Sequence, residues 1–358
     1  MLSGNSVHAL NEKEDVMPPI VKEKSNYPFF IFGCPRSGSS LLSRMLNAHP
    51  RLAVPFESHV LSMFYPLLPY YGDLRKAEVL EQLVCDILST DVMRDWVPPV
   101  NKNNVLSLVR VNNLGGIMDA LMRSWAQSQH KQRWGDKTPW HVQYWPQILQ
   151  YFPQTQFIHI MRDGRDVAIS LFRARFGPKT AYGAAKQWDK YIQEIECLKR
   201  AVSEQNFYQI RYEDLLQDPE ATLSAICDFL HEDYSPHMLE FYKNPNLYKT
   251  DHTNMNNLAK PLLHQNTMKW RTEMTDRDLY VFEAVAQSTL RQQRYEVVCK
   301  NPSLSQFEML SSRFLVGPAK KMLALLRNRK GQIDALIRWR IMARLMTVDQ
   351  VLRTFRAS

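Results

Sequence analysis

The spacing of apolar residues along the chain predicts strands and helices that follow one another in turn. An apolar run at residues 28–32 is typical of a buried strand, and a Gly-containing turn and an amphipathic helix follow it, which we expect Pro50 to end. The same order recurs in "QFIHIMRDGRDVAISLFRARF" and in "FYQIRYEDLL", which continues into "DPEATLSAICDFL". This alternation predicts an α/β fold, a P-loop-type parallel sheet flanked by helices, with ligands bound beyond the carboxyl ends of the strands.

Three other segments flank or interrupt the alternating pattern. Residues 1–26 are charged and polar, and we expect a flexible leader there, without the apolar core of a signal peptide. Residues 74–131 have apolar positions at helical spacing, which predicts a helical insertion over about 60–131 within a domain spanning 27–300. Residues 301–358 predict a basic, helical C-terminal extension.

Composition and cysteine content bound the class of protein. The chain has 358 residues, 45% of them hydrophobic and 23% charged, as in an ordinary soluble globular protein. No run of about 18 uncharged apolar residues occurs, so we predict no membrane span. The five cysteines form no C-x-x-C pair, which suits reduced thiols in a cytoplasmic protein and argues against a zinc site.

The net charge of +9 is concentrated at the end of the chain. Residues 311–358 contain 11 Lys or Arg and two Asp, so this segment carries +9 and residues 1–310 are formally neutral. Residues 319–356 have a helical period, which we expect Gly331 to divide into two helices. The apolar positions of one face are Ile333, Leu336, Ile337, Ile341 and Leu345.

Three roles remain open for this tail. A basic amphipathic helix docks on its own domain, lies on an anionic membrane surface, or binds an acidic partner. We predict no nucleic-acid partner for the chain, and the sequence leaves the oligomeric state open, a homodimer included.

The turn in "FGCPRSGSSLL" has the chemistry of a phosphate-binding loop. Gly33 and Gly38 have the spacing of a P-loop. Ser39 occupies the place of the P-loop lysine, and the positive charge of the turn is Arg36. Backbone N–H groups at the helix N-terminus would donate to an anion, together with the hydroxyl groups of Ser37, Ser39 and Ser40. The alternative is a structural turn whose arginine pairs with a surface carboxylate.

A second anion site is predicted where the strand "FIHIM" meets the next helix. Arg162 ends that strand and Ser170 lies on the helix, so a guanidinium and a hydroxyl could together hold one phosphate. The alternative for Arg162 is a salt bridge with Asp163 or Asp166.

The two motifs, "PRSGSSLL" and "MRDGRDVAISLF", together resemble those of the PAPS-dependent sulfotransferases, and the resemblance spans about residues 29–296. In that family the first motif binds the 5′-phosphosulfate of PAPS and the second binds its 3′-phosphate. The loop arginine is similar to that of the tyrosylprotein sulfotransferases. The resemblance implies transfer of sulfonate from PAPS to a hydroxyl acceptor without a metal, because loop and lysine charges replace magnesium.

The same resemblance implies three catalytic residues. Glu57 follows "NAHP" at the place of a catalytic base, and its alternative role is a carboxylate at a helix N-terminus. Lys137, in "WGDKTPW", matches a lysine that stabilises the transferring sulfonate together with Arg36, and its alternative is a solvated loop lysine. His59 and His141 are rival bases, each with a surface or core imidazole as the alternative.

Further residues are implied as nucleotide contacts. Lys269, in "KPLLHQNTMKW", would reach the 3′-phosphate, and Tyr212, in "IRYEDL", would contact the nucleotide. Thr253 or Asn254 falls near a family serine at the transfer site.

Two other functions and several acceptors stay open at this stage. A P-loop kinase would use Asp163 to bind magnesium, and a non-catalytic adaptor would act through the basic tail. For a sulfotransferase, a glycan, a lipid, a peptide tyrosine or a small metabolite would each offer the acceptor hydroxyl.

Overall fold

A parallel β-sheet lies at the centre of the molecule. The computed structural model describes residues 26–174, 176–243, 257–312 and 329–346. Within these ranges the strands, β1 to β5 in chain order, are Phe29–Phe32, Leu52–Ala53, Arg133–Asp136, Gln156–Met161 and Phe207–Arg211. They lie in the order β2-β3-β1-β4-β5, and every neighbouring pair is parallel. The predicted α/β class is confirmed.

Helices cover both faces of the sheet. In the described part of the chain they are, as α1 to α16 in chain order, Ser39–Asn47, Val60–Phe64, Leu68–Tyr71, Ala77–Ser89, Asp91–Arg94, Lys102–Leu108, Leu114–Ser128, Trp145–Tyr151, Gly164–Arg173, Ala181–Ala201, Tyr212–Gln217, Pro219–Leu230, Trp270–Glu273, Asp276–Gln292, Gln306–Ser311 and Arg329–Leu345. Short 3₁₀ helices occupy Tyr65–Leu67, Pro139–Tyr144, Glu204–Asn206 and Pro236–Lys243. Helix α1 ends three residues before Pro50.

Strand β1 shows why its sequence is apolar throughout. Phe30 and Phe32 pack with the helices between β2 and β3 and with α9, α10 and α14, whereas Phe29 and Ile31 pack with α1, α11 and α12. Successive side chains of a strand point to opposite faces, so a strand covered on both faces needs apolar residues at every position. Burying each of these side chains fully contributes roughly 1.5–3 kcal/mol.

Strand β3 was not predicted, because two of its four residues are charged. Arg133 is fully buried, yet its guanidinium donates to the carbonyl oxygens of Tyr27 and Leu230 and to the side chain of Gln156. These acceptors let an arginine occupy a central strand. In the register of β3 beside β1, Asp136 lies opposite Phe30, so the residues that follow Asp136 run toward the end of β1 and the loop after it.

The described part of the tail packs on the chain's own domain. In α16, Ile337, Ile341 and Leu345 join the main core, and the Arg344 guanidinium pairs with Asp86 of α4. Two predictions were wrong. Leu336 lies off the buried face and is 61% exposed, and Gly331 lies inside the helix instead of dividing it.

Leu336 is exposed because the packed residues Ile337, Ile341 and Leu345 are spaced four apart and form one row on the helix, which does not include position 336.

Of the described helices, none is both long and apolar enough to cross a membrane. A contact of residues 319–356 with a membrane surface or an acidic partner stays a prediction. The predicted leader lies outside the described residues.

Candidate active site

The loop between β1 and α1 is a tight turn that only glycine allows at one position. Gly38 has φ 93°, and a Cβ atom there would lie 2.3 Å from the ring of Tyr212. Arg36 also has a positive φ, 79°, and the Ser37 N–H donates to the Cys34 carbonyl at 2.9 Å. The Gly38 N-cap has no side chain to cap the first turn of α1, and no other described side chain does so. Its N–H groups therefore suit an anion bound in the loop.

The two predicted anion motifs meet in space. Arg36 Nε donates to Ser170 Oγ at 2.9 Å, although the two residues are 134 positions apart. Arg162 Nη1 donates to the Arg36 carbonyl at 3.2 Å, so the end of β4 also braces the loop. The Arg162 guanidinium lies over the ring of Tyr212, 4.4 Å from its centroid.

The charges of this cluster fit a phosphate-bearing ligand. Burial and then the neighbouring Arg162 guanidinium lower the pKa of Arg36, which shows that two cations lie close together. The alternative Arg162–Asp166 salt bridge is present at 3.5 Å, and Nη2 also donates to the Asn266 carbonyl at 2.8 Å. Nevertheless Arg162 Nε is buried without an acceptor among the described residues. A bound anion would supply an acceptor and reduce the repulsion.

The three predicted catalytic residues also converge on the loop. Lys137 Nζ donates to Glu57 Oε1 at 2.6 Å and to Ser40 Oγ, on the first turn of α1, at 3.2 Å. The Lys137 side chain is 2% exposed, whereas that of Glu57 is 22% exposed. The carboxylate is therefore reachable by a ligand. The buried ammonium lies between the Ser40 hydroxyl group of the loop helix and the Glu57 carboxylate.

The Glu57 carboxylate is held in its ionised form. Burial raises its pKa, but the Lys137 ammonium and then the His59 imidazole lower the pKa by more, to below the ordinary range of a glutamate. At neutral pH this group is a hydrogen-bond acceptor with no proton of its own.

The two rival bases have different surroundings. His59 Nε2 lies 3.1 Å from Glu57 Oε2 and its Nδ1 lies 3.4 Å from Ser62 Oγ, so the imidazole orients the carboxylate. His141 is fully buried. The Leu61 N–H donates to its Nε2, which leaves the proton on Nδ1 to donate to Asp136 at 2.9 Å. His141 is thus a core imidazole with both nitrogens engaged.

Asp136, which the sequence did not single out, connects the segments that carry Glu57 and Lys137. Its Oδ1 accepts from Ser58 Oγ at 2.8 Å and from Thr138 Oγ1 at 3.1 Å, and its Oδ2 faces His141. The Ser58 N–H in turn donates to Thr138 Oγ1 at 2.9 Å. This buried network fixes the distance between the carboxylate and the ammonium. In the sequence, the only signal for Asp136 is that it stands directly before Lys137.

We expect Asp136→Asn to lower both stability and turnover while leaving nucleotide affinity within about threefold. An amide would turn a donor toward a partner that is itself a donor, which costs about 1–3 kcal/mol. Urea unfolding and initial rates measure the two effects, with the exposed Asp73→Asn as control. Unchanged turnover in a folded Asp136→Asn protein would remove Asp136 from the positioning of the site.

The remaining predicted residues lie at the edge of this cluster or outside the described residues. Tyr212 is buried against the loop and accepts a hydrogen bond from Asn266 at 2.7 Å. Lys269 is half-buried at the start of α13, and the next residue, Trp270, donates its N–H to Asp166 at 3.0 Å. Thr253 and Asn254 lie outside the described residues.

Comparison with known proteins places the chain in a family. The model of the sulfotransferase family matches residues 28–236, more than half of the chain. A putative protein-tyrosine sulfotransferase of Caenorhabditis briggsae is 24% identical over 61% of this chain and 71% of its own length. An omega-hydroxy-beta-dihydromenaquinone-9 sulfotransferase of Mycobacterium bovis is 30% identical over 32% of this chain and 34% of its own. For seven curated relatives, these two included, the chain spans from 31% to 71% of their length.

A solved structure agrees with this assignment. The sulfotransferase domain of the olefin synthase from Synechococcus PCC 7002 is 27% identical, covers 77% of this chain and 98% of that domain, and superposes with a TM-score of 0.53. The match of the family model includes β1 to β5, the loop between β1 and α1 and the residues around Glu57 and Lys137. This chain belongs to the sulfotransferase family.

Proposed function

We propose that this protein transfers the sulfonate group of PAPS to a hydroxyl acceptor, with Glu57 as the general base. The observation that carries the proposal is the chain of contacts from Ser40 through Lys137 to Glu57, which joins the phosphate loop to a reachable carboxylate. When bound, PAPS supplies the sulfonate. Relatives named for protein tyrosine and for a hydroxylated menaquinone both act on hydroxyl groups, and the choice among glycan, lipid, peptide tyrosine and small metabolite stays open.

The proposed roles follow from the charges of the residues. Glu57 accepts the proton of the acceptor hydroxyl as the new oxygen–sulfur bond forms and the bond to the 5′-phosphate oxygen breaks. Lys137 and Arg36 neutralise the oxygens of the moving group, as preorganised cations do at other transferring groups. No metal has a role in this scheme.

The same proposal divides the nucleotide between two sets of residues. The loop, with Arg36, Ser37, Gly38, Ser39 and Ser40, would hold the 5′-phosphate end through N–H and hydroxyl donors. The 3′-phosphate and the nucleoside would contact the residues around the end of β4, namely Arg162, Ser170, Tyr212 and Lys269. The unmatched Arg162 Nε supports this placement.

The arrangement of Asp163 speaks against a magnesium-dependent kinase. Both of its carboxylate oxygens accept from the Arg165 guanidinium, at 3.0 and 2.7 Å, and Oδ1 also caps α9 by accepting from the Arg165 N–H. A magnesium ligand at the end of a strand needs a carboxylate directed toward the phosphates.

Calorimetric titration with PAP, ADP and ATP, each with and without magnesium, tests the proposed function. We expect PAP to bind more tightly than ADP and independently of magnesium, because only PAP has the 3′-phosphate. Preference for ATP with magnesium would instead support the kinase, and binding of none of the three would favour an adaptor that acts through its tail.

Replacing Lys137 by methionine should change the pH dependence as well as the rate. With the ammonium removed, burial is the largest remaining influence on Glu57, so its pKa rises and the carboxylate begins to protonate at a higher pH. We therefore expect the acid limb of turnover to move upward in pH, in addition to a loss of about 10²–10³-fold in rate. A pH–rate profile of both proteins measures the shift, and coincident acid limbs would contradict the pairing.

A further inference from the structure

A buried phenol next to the site has no hydrogen-bond partner in the part of the chain that the structure describes. Tyr191, on α10, is 4% exposed, and among the described residues nothing accepts from or donates to its hydroxyl. A buried hydroxyl without a partner destabilises a fold, and phenylalanine at this position would avoid the cost. An acceptor atom on a bound ligand would give this hydroxyl a partner.

The surroundings of Tyr191 connect it to the catalytic residues. One turn earlier on α10, Gln187 hydrogen-bonds to the thiol of Cys34 in the phosphate loop. Burial and then the nearby Cys34 and Glu57 raise the pKa of Tyr191, so the phenol keeps its proton and remains a donor. Helix α10 thus presents a hydrogen-bond donor within electrostatic range of the proposed base.

The walls beside this donor are aromatic. The ring of Trp140, three residues after Lys137, packs edge-on against that of Tyr191 at 6.3 Å between centroids. Trp140 is 44% exposed, which leaves part of its indole open to a ligand. The ring of Phe56, the residue before Glu57, has its centroid 5.5 Å from Lys137 Nζ. Such aromatic walls suit an apolar, flat carbon skeleton.

We propose that Tyr191 binds the acceptor, donating its O–H to the acceptor oxygen while Glu57 accepts the proton, and that the acceptor skeleton is apolar and lies against Trp140. This inference rests on the proposed sulfonate transfer. Tyr191 donates a hydrogen bond and keeps its proton. This hydrogen bond stabilises the negative charge that develops on the acceptor oxygen as the acceptor proton moves to Glu57.

Tyr191→Phe removes one oxygen and provides the test. We expect opposite effects on stability and function. The melting temperature should rise by about 2 °C or more, because an unpaired buried hydroxyl is lost. Turnover of PAPS with 4-nitrophenol falls by about tenfold or more, and the affinity for PAP stays within twofold. A tyrosine with a purely structural role would not produce this combination.

The matched control is Tyr208→Phe. Tyr208 lies on β5, where its ring stacks on Phe229 at 5.2 Å on the opposite face of the sheet. We expect Tyr208→Phe to change neither the rate of turnover nor the affinity for PAP, and not to raise the melting temperature.

Trp140→Ala should weaken binding of 4-nitrophenol to the PAP-bound protein by about fivefold or more, without changing the affinity for PAP.

Each outcome decides the proposal. If the wild-type protein binds PAP but its PAP complex does not bind 4-nitrophenol, or prefers methyl glucoside, the apolar acceptor site is wrong. If Tyr191→Phe melts at a lower temperature or turns over at the wild-type rate, the role of its hydroxyl is wrong. A wild-type protein that does not bind PAP at all would instead overturn the proposed function, which distinguishes the two failures.

Discussion

Glu57→Gln should reduce turnover by about 10²–10⁴-fold while PAP binds with its normal affinity. Glutamine keeps an oxygen that can accept from Lys137, so the site remains folded, but the amide cannot take a proton from the acceptor hydroxyl. PAP carries no group that contacts the acceptor side, which is why its affinity should not change. Initial rates with PAPS and calorimetry with PAP measure the two quantities.

The chain offers a matched control for this variant. Glu81 forms an exposed pair with Lys102 at 2.6 Å, the same separation as in the Glu57–Lys137 pair. Glu81→Gln should leave turnover and stability close to the wild type, because exposed ion pairs contribute little. Full activity of Glu57→Gln, together with a large loss in a His59→Gln protein, would move the role of base to His59.

Arg162→Ala should weaken PAP binding by about 10- to 100-fold and ADP binding by much less. Among the described residues nothing accepts from the buried Nε–H group of this guanidinium, and a charge-assisted hydrogen bond to a ligand contributes enough to account for one to two factors of ten. ADP lacks the 3′-phosphate, so the ratio of the two losses identifies the group that Arg162 contacts. Calorimetric titration with both nucleotides measures the ratio.

Two comparisons separate recognition from support of the loop. Arg162 also donates to the Arg36 carbonyl, and a general collapse of the loop would weaken PAP and ADP alike, which would contradict the assignment to the 3′-phosphate. Arg173→Ala, at an exposed arginine paired with Glu273, controls for the loss of one positive charge near the site. We expect it to leave both affinities within about twofold.

Several features of the site were accessible from the sequence because they are local. The loop glycines, the hydroxyl groups after them and the charged residue at the end of β4 each lie within a short motif whose chemistry follows from a strand-to-helix turn. The apolar runs likewise predicted the α/β class directly. The family resemblance then assigned Glu57 and Lys137 to one site, although they lie 80 positions apart.

Other features depend on contacts between distant segments. Strand β3 looks too polar for a central position until the carbonyl groups that pair with Arg133 are known. Asp136 and Tyr191 carry no local motif, and their importance arises from what surrounds them. In the tail, the helical period was right, but Leu336 was placed on the wrong face because only packing against α4 decides which row of the helix is buried.

The sequence by itself therefore predicted the parallel α/β architecture and located the two strand-to-helix turns that we propose bind the nucleotide. Backbone turns and strand periodicity are short-range properties, so a few neighbouring residues suffice to specify them. The tertiary structure alone decided that Lys137 pairs with Glu57, that His141 is a core residue, and that the buried hydroxyl of Tyr191 has no partner among the described residues. Hydrogen bonds and charge–charge interactions act over a few ångströms, and only the folded sheet brings these groups within that distance.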